Sequence, residues 1–277
     1  YGTVLLIDTG VYGAGFGGGS GVNGTDKQGK DAVYEFETLS DFRDFVKGGM
    51  FWKCAEALFT PDPYNADAVG ISKLLYARAC TTTPATMTFA PTGGGSKGGT
   101  LVVKTIDEGL NANGDLEGDI LKTGYAFTVE AGTEDPNAFV IKFWRGTFTG
   151  LYKDPITGVE LSYDELTVEQ AEPYLLCQTP ECTNMAEVIA WCQTDENFSA
   201  RFILDDSSKI TGDGTVDASD ITDNAGYQVA TGGTEQYKPT DLDDLLAQIT
   251  DVEYNIVFTD QIGASGAGAT NNKVIAH

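Results

Sequence analysis

Three stretches of the sequence place suitable residue types at spacings that chemistry uses. Gly13-Ala14-Gly15-Phe16-Gly17-Gly18 satisfies the G-x-G-x-x-G pattern of a dinucleotide site, just after an apolar run. Such a site needs a helix opening at the glycines, so that its first amides face the pyrophosphate. Here more glycine, serine and asparagine follow, so no helix starts and the segment reads as a loop. Glu35 and Glu37 lie near the ribose-binding spacing and lose that role with the helix. Gly24-Thr25-Asp26-Lys27-Gln28-Gly29-Lys30-Asp31 approaches the phosphate-binding P-loop. Its last position calls for serine or threonine to hold magnesium, and the Asp31 carboxylate would instead repel phosphates. Asp213-Gly214-Thr215-Val216-Asp217-Ala218-Ser219-Asp220 resembles half of a calcium loop. Counting back from Asp213 as the fifth position puts Lys209 at the first ligand position and Thr211 at the third, which an EF-hand does not tolerate. Asp213, Asp217 and Asp220 are the residues that would hold an adventitious calcium ion, and an acidic turn is the favoured reading.

Nucleophilic and metal chemistry find little support. The five cysteines are Cys54, Cys80, Cys177, Cys182 and Cys192, an odd count without regular spacing, so no disulfide framework is expected. Cys54 and Cys80 sit in apolar contexts and read as small hydrophobes. His277, the last residue, is the only histidine. A four-ligand zinc site is therefore not expected, and no serine, threonine or cysteine has an internal histidine to activate it. Trp52, Trp144 and Trp191 fall in regular elements and read as core. The sequence thus predicts neither cofactor nor catalytic residue.

A chain of 277 residues with 41% hydrophobic content can bury a substantial core. No apolar run approaches the roughly 20 residues that cross a bilayer, and the opening Tyr1-Gly2-Thr3-Val4-Leu5-Leu6-Ile7 reads as a strand rather than a signal peptide. The 41 acidic residues against 17 basic ones give a net charge of −24. Such a surface repels phosphate backbones, so no direct nucleic-acid partner is expected. The cysteine usage fits a reducing cytoplasm.

The elements that must position any site follow from periodicity and punctuation. Strands are expected at Thr3 to Asp8 and Ser72 to Ala79, with a long glycine-rich loop from Gly10 to Gly29 between them. Two helices are expected in that interval, one capped by Ser40 and running to Val46, the other from Met50 to Phe59. From Thr86 onward, runs at Thr100 to Lys104, Tyr125 to Val129 and Phe139 to Trp144 predict antiparallel strands. Helices return at Thr183 to Cys192 and Pro239 to Ile249, with strands at Arg201 to Leu204 and Tyr254 to Phe258. The fold class is α+β: an α/β-type core built from both ends of the chain with a β-rich middle section. The expected division is 1–85 for the first part of the core, 86–165 for the β-rich domain or insertion, and 166–277 for the second part of the core.

Taken in order, these segments resemble contractile tail sheath proteins, the family of bacteriophage tails and related injection systems. The residues that carry the resemblance are Thr38-Leu39-Ser40-Asp41-Phe42-Arg43-Asp44-Phe45, Gly48-Gly49, Ala55-Glu56-Ala57-Leu58-Phe59 and Leu74-Leu75-Tyr76-Ala77-Arg78-Ala79. Further on, Gly98-Gly99-Thr100-Leu101-Val102-Val103-Lys104 resembles the glycine-marked entry to the β-rich section. Thr231-Gly232-Gly233-Thr234-Glu235, Thr240-Asp241-Leu242 and Tyr254-Asn255-Ile256-Val257-Phe258 resemble the later glycine pair, helix start and core strand. Gly232 and Gly233 suit a turn closed to other residues, and Thr240 suits a helix cap. Asp41, Phe42 and Arg78 complete the motif residues. The family's proline-bearing loop after the first strand is replaced by Gly13 to Gly24, and family members continue past the position of His277, so a fragment of a longer protein is expected.

The resemblance implies a structural subunit rather than an enzyme. It implies partners of a defined kind: further copies of the chain in stacked, hexameric rings, the tail tube, and the baseplate and tail terminator proteins. It implies location in the virion tail after assembly in the host cytoplasm, without insertion into membranes. Strands exposed at the chain ends would serve as pairing edges. The alternative reading is an acidic, calcium-steadied binding or adhesion module, resting on Asp213 to Asp223 and the β-rich middle.

Overall fold

The computed structural model describes residues 2–8, 33–46, 50–60, 69–79, 81–92, 97–109, 112–135, 137–146, 152–153, 160–161, 173–236 and 239–259. The glycine-rich stretch that follows the first strand, with both near-miss phosphate motifs, lies outside them. The first elements are β1 (Thr3–Asp8), β2 (Val33–Phe36), α1 (Leu39–Phe45), α2 (Met50–Phe59) and β3 (Lys73–Arg78). A β-rich run follows: β4 (Thr81–Phe89), β5 (Gly99–Glu108), β6 (Asp115–Glu117), β7 (Ile120–Thr123), β8 (Tyr125–Ala131), β9 (Phe139–Arg145), β10 (Tyr152–Lys153), β11 (Glu160–Leu161) and β12 (Tyr174–Gln178). Then come α3 (Met185–Thr194), α4 (Glu196–Ser199), β13 (Phe202–Leu204), β14 (Lys209–Ile210), α5 (Ala218–Asp223), β15 (Gln228–Val229) and β16 (Thr234–Gln236). The last described elements are α6 (Pro239–Gln248) and β17 (Ile256–Thr259). The fold is mixed α+β.

The two ends of this order build one sheet, β17-β1-β3-β2. β1 pairs in parallel with β3 on one side and β17 on the other, whereas β2 joins antiparallel. A central parallel strand buried on both faces must be apolar throughout, and Val4, Leu5, Leu6 and Ile7 supply that. Val4 and Leu6 face a cluster with Phe36, Phe42, Val46, Phe51, Ala55, Leu74 and Tyr76, which α1 and α2 cover. Leu5 and Ile7 face the opposite cluster, sealed by Leu242, Leu245 and Leu246 of α6 and by Ile249 just after it. The result is helix, sheet, helix.

The described residues between 81 and 236 fold around a core of their own. One sheet runs β12-β9-β8-β15, and the other β13-β5-β4-β16 with β14 beside β5. Their facing side chains, Met87, Phe89, Leu101 and Val103 against Phe127, Val129, Ile141 and Phe143, share one cluster with Met185, Val188, Cys192 and Phe198. Phe143 stands 5.2 Å from Phe202 and 5.4 Å from Phe198 by ring centroid. The boundary expected at residue 166 lies outside the described residues. β12, α3, α4, β13, α5, β15 and β16 complete the β-rich unit, because the apolar faces of α3 and α4 match its sheets. The chain rejoins the parallel sheet with α6.

Two helix starts also differ from expectation. α1 is capped by Thr38, whose side chain accepts from the Asp41 amide, and Ser40 lies inside the first turn. α6 begins at Pro239, a residue suited to the first helical position, so Thr240 lies inside the helix rather than capping it. β4 was not expected as a strand from Thr81 onward. Its threonine-rich start contains Pro84, which sits at a register shift opposite β5, where a missing N–H is tolerated.

Phe42 is fully buried, 5.3 Å from Phe36 and 5.8 Å from Tyr76. Phe42→Ala is expected to destabilise the chain by about 3–5 kcal/mol, measured by denaturant unfolding. A change below about 1 kcal/mol would show that α1 does not depend on this contact.

Candidate functional site

In open parallel sheets, ligand chemistry concentrates beyond the carboxyl ends of the strands. Here Asp8 ends β1 and Arg78 ends β3, opposite each other in register. Both are 2% exposed. The Tyr76 hydroxyl donates to the Asp8 carboxylate at 2.6 Å. Arg78 Nη1 donates to Thr82 Oγ1 at 3.4 Å, and Thr82 Oγ1 donates to Glu108 Oε2 at 2.8 Å. Glu108 is fully buried. Arg78 therefore points into a protein-filled polar layer between the two units. This arrangement suits holding elements in place better than receiving a substrate.

The other motif residues are architectural and lie apart. Asp41, exposed in the first turn of α1, is read through its amide at the Thr38 cap, 3.1 Å away. Gly232 takes φ +86, a conformation that side chains rarely adopt. Gly233 is held from the other side: its amide donates to Asn113 Oδ1 at 2.7 Å, and Asn113 Nδ2 donates to its carbonyl at 2.9 Å. A Cβ on Gly233 would meet the Gly109 carbonyl oxygen at 2.3 Å. The glycine pair thus lets the strand before α6 pass closely over the β5 end.

Asp213, Asp217 and Asp220 are each used by the protein itself. Asp213 accepts from the Thr215 amide at 3.1 Å and from its hydroxyl at 2.5 Å, which holds its carboxyl below the usual range. Asp217 and Asp220 form a capping box on α5. Asp220, 7% exposed, accepts from the Thr92 amide and hydroxyl with Oδ1 and from the Asp217 amide with Oδ2. Among the described residues no group of three or more His, Cys, Asp or Glu side chains is arranged to hold a metal ion. Cys177, Cys182 and Cys192 are free thiols in the β-rich core. Burial pushes Cys177 and Cys192 up to about 12, so they stay protonated and act as apolar filling. Cys80 lies outside the described residues.

The remaining feature is an edge. β17 pairs with β1 through one side only among the described strands. Ile256 and Phe258 stand opposite Val4 and Leu6, on the face that α1 and α2 cover further along the sheet. Val4 and Leu6 are buried, whereas Ile256 and Phe258 are 51% and 48% exposed. The apolar face therefore continues past its helical cover. At the start of β17, Asn255 clips the strand to Thr3 by two hydrogen bonds, Thr3 N to Asn255 Oδ1 at 2.8 Å and Asn255 N to Thr3 O at 2.9 Å. No helix among the described residues is long and apolar enough to cross a membrane.

Sequence reasoning missed Thr82 and Glu108, whose importance depends on a contact across the fold. It also missed Glu181. That carboxylate accepts from the consecutive amides of Thr133, Glu134 and Asp135 at 2.6, 2.9 and 3.0 Å, closing the turn between β8 and β9. The amides of Glu134, Asp135 and Thr133 pull its carboxyl down to about 2.

No protein-family model matches the chain, and no curated protein matches it. Among solved structures, the sheath tail protein of Listeria innocua aligns over 99% of this chain and 43% of its own, at 13% identity and a TM-score of 0.48. The sheath tail protein of Desulfitobacterium hafniense aligns over 98% of this chain and 44% of its own, at 13% identity and a TM-score of 0.50. The second likeness shows a shared, sheath-like fold. The chain spans less than half the length of either protein.

Two outcomes follow. Gly233→Ala should destabilise more than Gly232→Ala, since the first meets backbone at 2.3 Å and the second faces open space at positive φ, a cost of about 1–2 kcal/mol. Equal, negligible effects in urea unfolding would contradict the close approach. Glu181 has a depressed folded value, so its stabilisation is present above about 4.5 and lost as pH falls through about 2. Glu181→Gln should therefore lower Tm at neutral pH and differ little from wild type near pH 2. A difference independent of pH would rule out the carboxylate clamp.

Proposed function

We propose that this chain is a structural subunit, or a large part of one, of a contractile phage tail sheath. The observation that carries the reading is the sheath-like fold, which extends along 98% of the chain. The apolar edge at β17 supports it, because a strand that pairs on one side only among the described strands, beside half-exposed apolar side chains, is a route to strand addition and assembly. In this role the subunit polymerises with further copies in stacked, hexameric rings around a tail tube, between a baseplate and a tail terminator. Contraction drives the tube through the host envelope. The work comes from exchanging one set of packed subunit contacts for another, without catalysis, a cofactor, or direct contact with nucleic acid or membrane interior. The place of action is the virion tail. The acidic surface, with a net charge of −24, limits association outside correct contacts.

The test is negative-stain electron microscopy of the fast-sedimenting fraction from the native source, with the chain located by mass spectrometry. Co-sedimentation with striated tubes or tailed particles is expected. Recovery only as a small soluble species, with no particle carrying it, would sink the proposal.

A further inference from the structure

The parallel sheet and the β-rich unit enclose separate hydrophobic cores. The chain crosses between them twice, from Arg78 to Thr81 and from Gln236 to Pro239. Units with separate cores move relative to one another unless their boundary fixes them. At the first crossing the boundary is polar and dry. Asp8, Arg78, Thr82 and Glu108 are all at most 4% exposed.

One side-chain bond in this layer crosses from one unit to the other, and bonds within each unit hold its two ends. Arg78, the last residue of β3, donates to the Thr82 hydroxyl, and that hydroxyl donates to Glu108 at the end of β5. On the sheet side, the Ala79 amide donates to the Asp8 carbonyl at 2.7 Å, while Tyr76 holds the Asp8 carboxylate. Within the β-rich unit, next along β5 from Glu108, the Tyr125 hydroxyl donates to the Asp107 carboxylate, and Thr105 Oγ1 donates to the Asp107 carbonyl at 2.6 Å. Apolar surfaces can slide with little loss. Directional bonds to buried charged groups resist sliding, because breaking one costs more than losing an apolar contact of the same area.

We propose that Arg78, Thr82 and Glu108 form an orientation lock that couples the two cores, so that they open and move as one body. Arg78 and Glu108 are the charged ends, and the Thr82 hydroxyl is the hinge pin that receives from one and gives to the other. The lock is a property of this chain alone and stands whether or not the chain assembles into a sheath.

The test uses the full chain. Thr82→Val keeps the β-branched shape of the strand residue and removes only the hydroxyl. Calorimetry should show one cooperative transition for wild type and two for Thr82→Val. Amide exchange on β1 and β3 should accelerate about tenfold in the variant, the equivalent of one hydrogen bond, while β8 and β9 stay protected. Arg78→Lys, which keeps charge but alters geometry, should act in the same direction. Should it fail to fold, Thr82→Val decides alone. Two transitions already in wild type, or a Thr82→Val chain that still melts once with both units affected alike, would overturn the lock.

Discussion

Everything in this fold depends on the pairing of β1 with two strands far from it in sequence. Val4 stands beside Leu74 on one side and Ile256 on the other. Parallel pairing cannot be made by a hairpin, so the chain must leave the sheet, cross a face and come back. Each return brings a helical layer: α1 and α2 over the side chains of Val4 and Leu6, α6 over those of Leu5 and Ile7. The alternation of β1 side chains between two faces is thus the reason the sheet needs cover on both. The cost of closing a loop grows slowly with its length. An excursion from Thr81 to Gln236 is tolerated between β3 and α6 because it is folded on its own core rather than held as loose chain.

That arrangement places a demand on the point of departure. Arg78 ends β3, and β4 begins at Thr81, so the backbone turns from one core to the other almost without a spacer. The side chains there must face both units at once. A guanidinium, a hydroxyl and a carboxylate satisfy this by bonding one another across the junction, as apolar groups of similar size could not. The polar layer also occupies the carboxyl end of β1 and β3, the end at which parallel sheets ordinarily receive ligands.

The legible parts of the fold were those whose local pattern and tertiary fate agree. Val4 to Ile7 is apolar throughout, and Leu242, Leu245, Leu246 and Ile249 repeat at helical spacing, so β1 and α6 could be read directly. Phe139 to Trp144 alternates as a half-covered strand should, and it is one. β4 was hidden because Thr81-Thr82-Thr83-Pro84 has little hydrophobicity. What makes it a strand is pairing with β5 and β16, which no window of sequence contains. The cap of α1 slipped by two residues because Ser40 is the better cap by type, yet Thr38 is the one whose side chain reaches the Asp41 amide. Arg78 could be picked out as the charged end of a strand. Its partners Thr82 and Glu108 could not, since one hydroxyl and one carboxylate among 41 acidic residues carry no signal until the fold brings them together.

Charge is divided as unevenly as the cores. Residues 81–236 contain 25 acidic and 8 basic side chains, a net charge of −17 out of the chain's −24. Four of the lysines there already face carboxylates within the unit: Lys97 with Asp213, Lys104 with Asp205, Lys122 with Glu117 and Lys142 with Glu130. Such exposed pairs add little stability, but they leave the field of the unit strongly negative. Two copies therefore repel each other through their β-rich units over a distance set by ionic strength. The apolar edge at Ile256 and Phe258 lies on the other unit, where the remaining excess of 7 negative charges is spread over 121 residues. On the sheath reading, attraction and repulsion are then assigned to different parts of one subunit. On that reading contacts would form at the parallel sheet, and the acidic units would keep copies from associating in other registers. A rigid boundary between the two is what gives that division meaning, since an acidic unit free to swing could neither exclude a wrong neighbour nor stay clear of a right one.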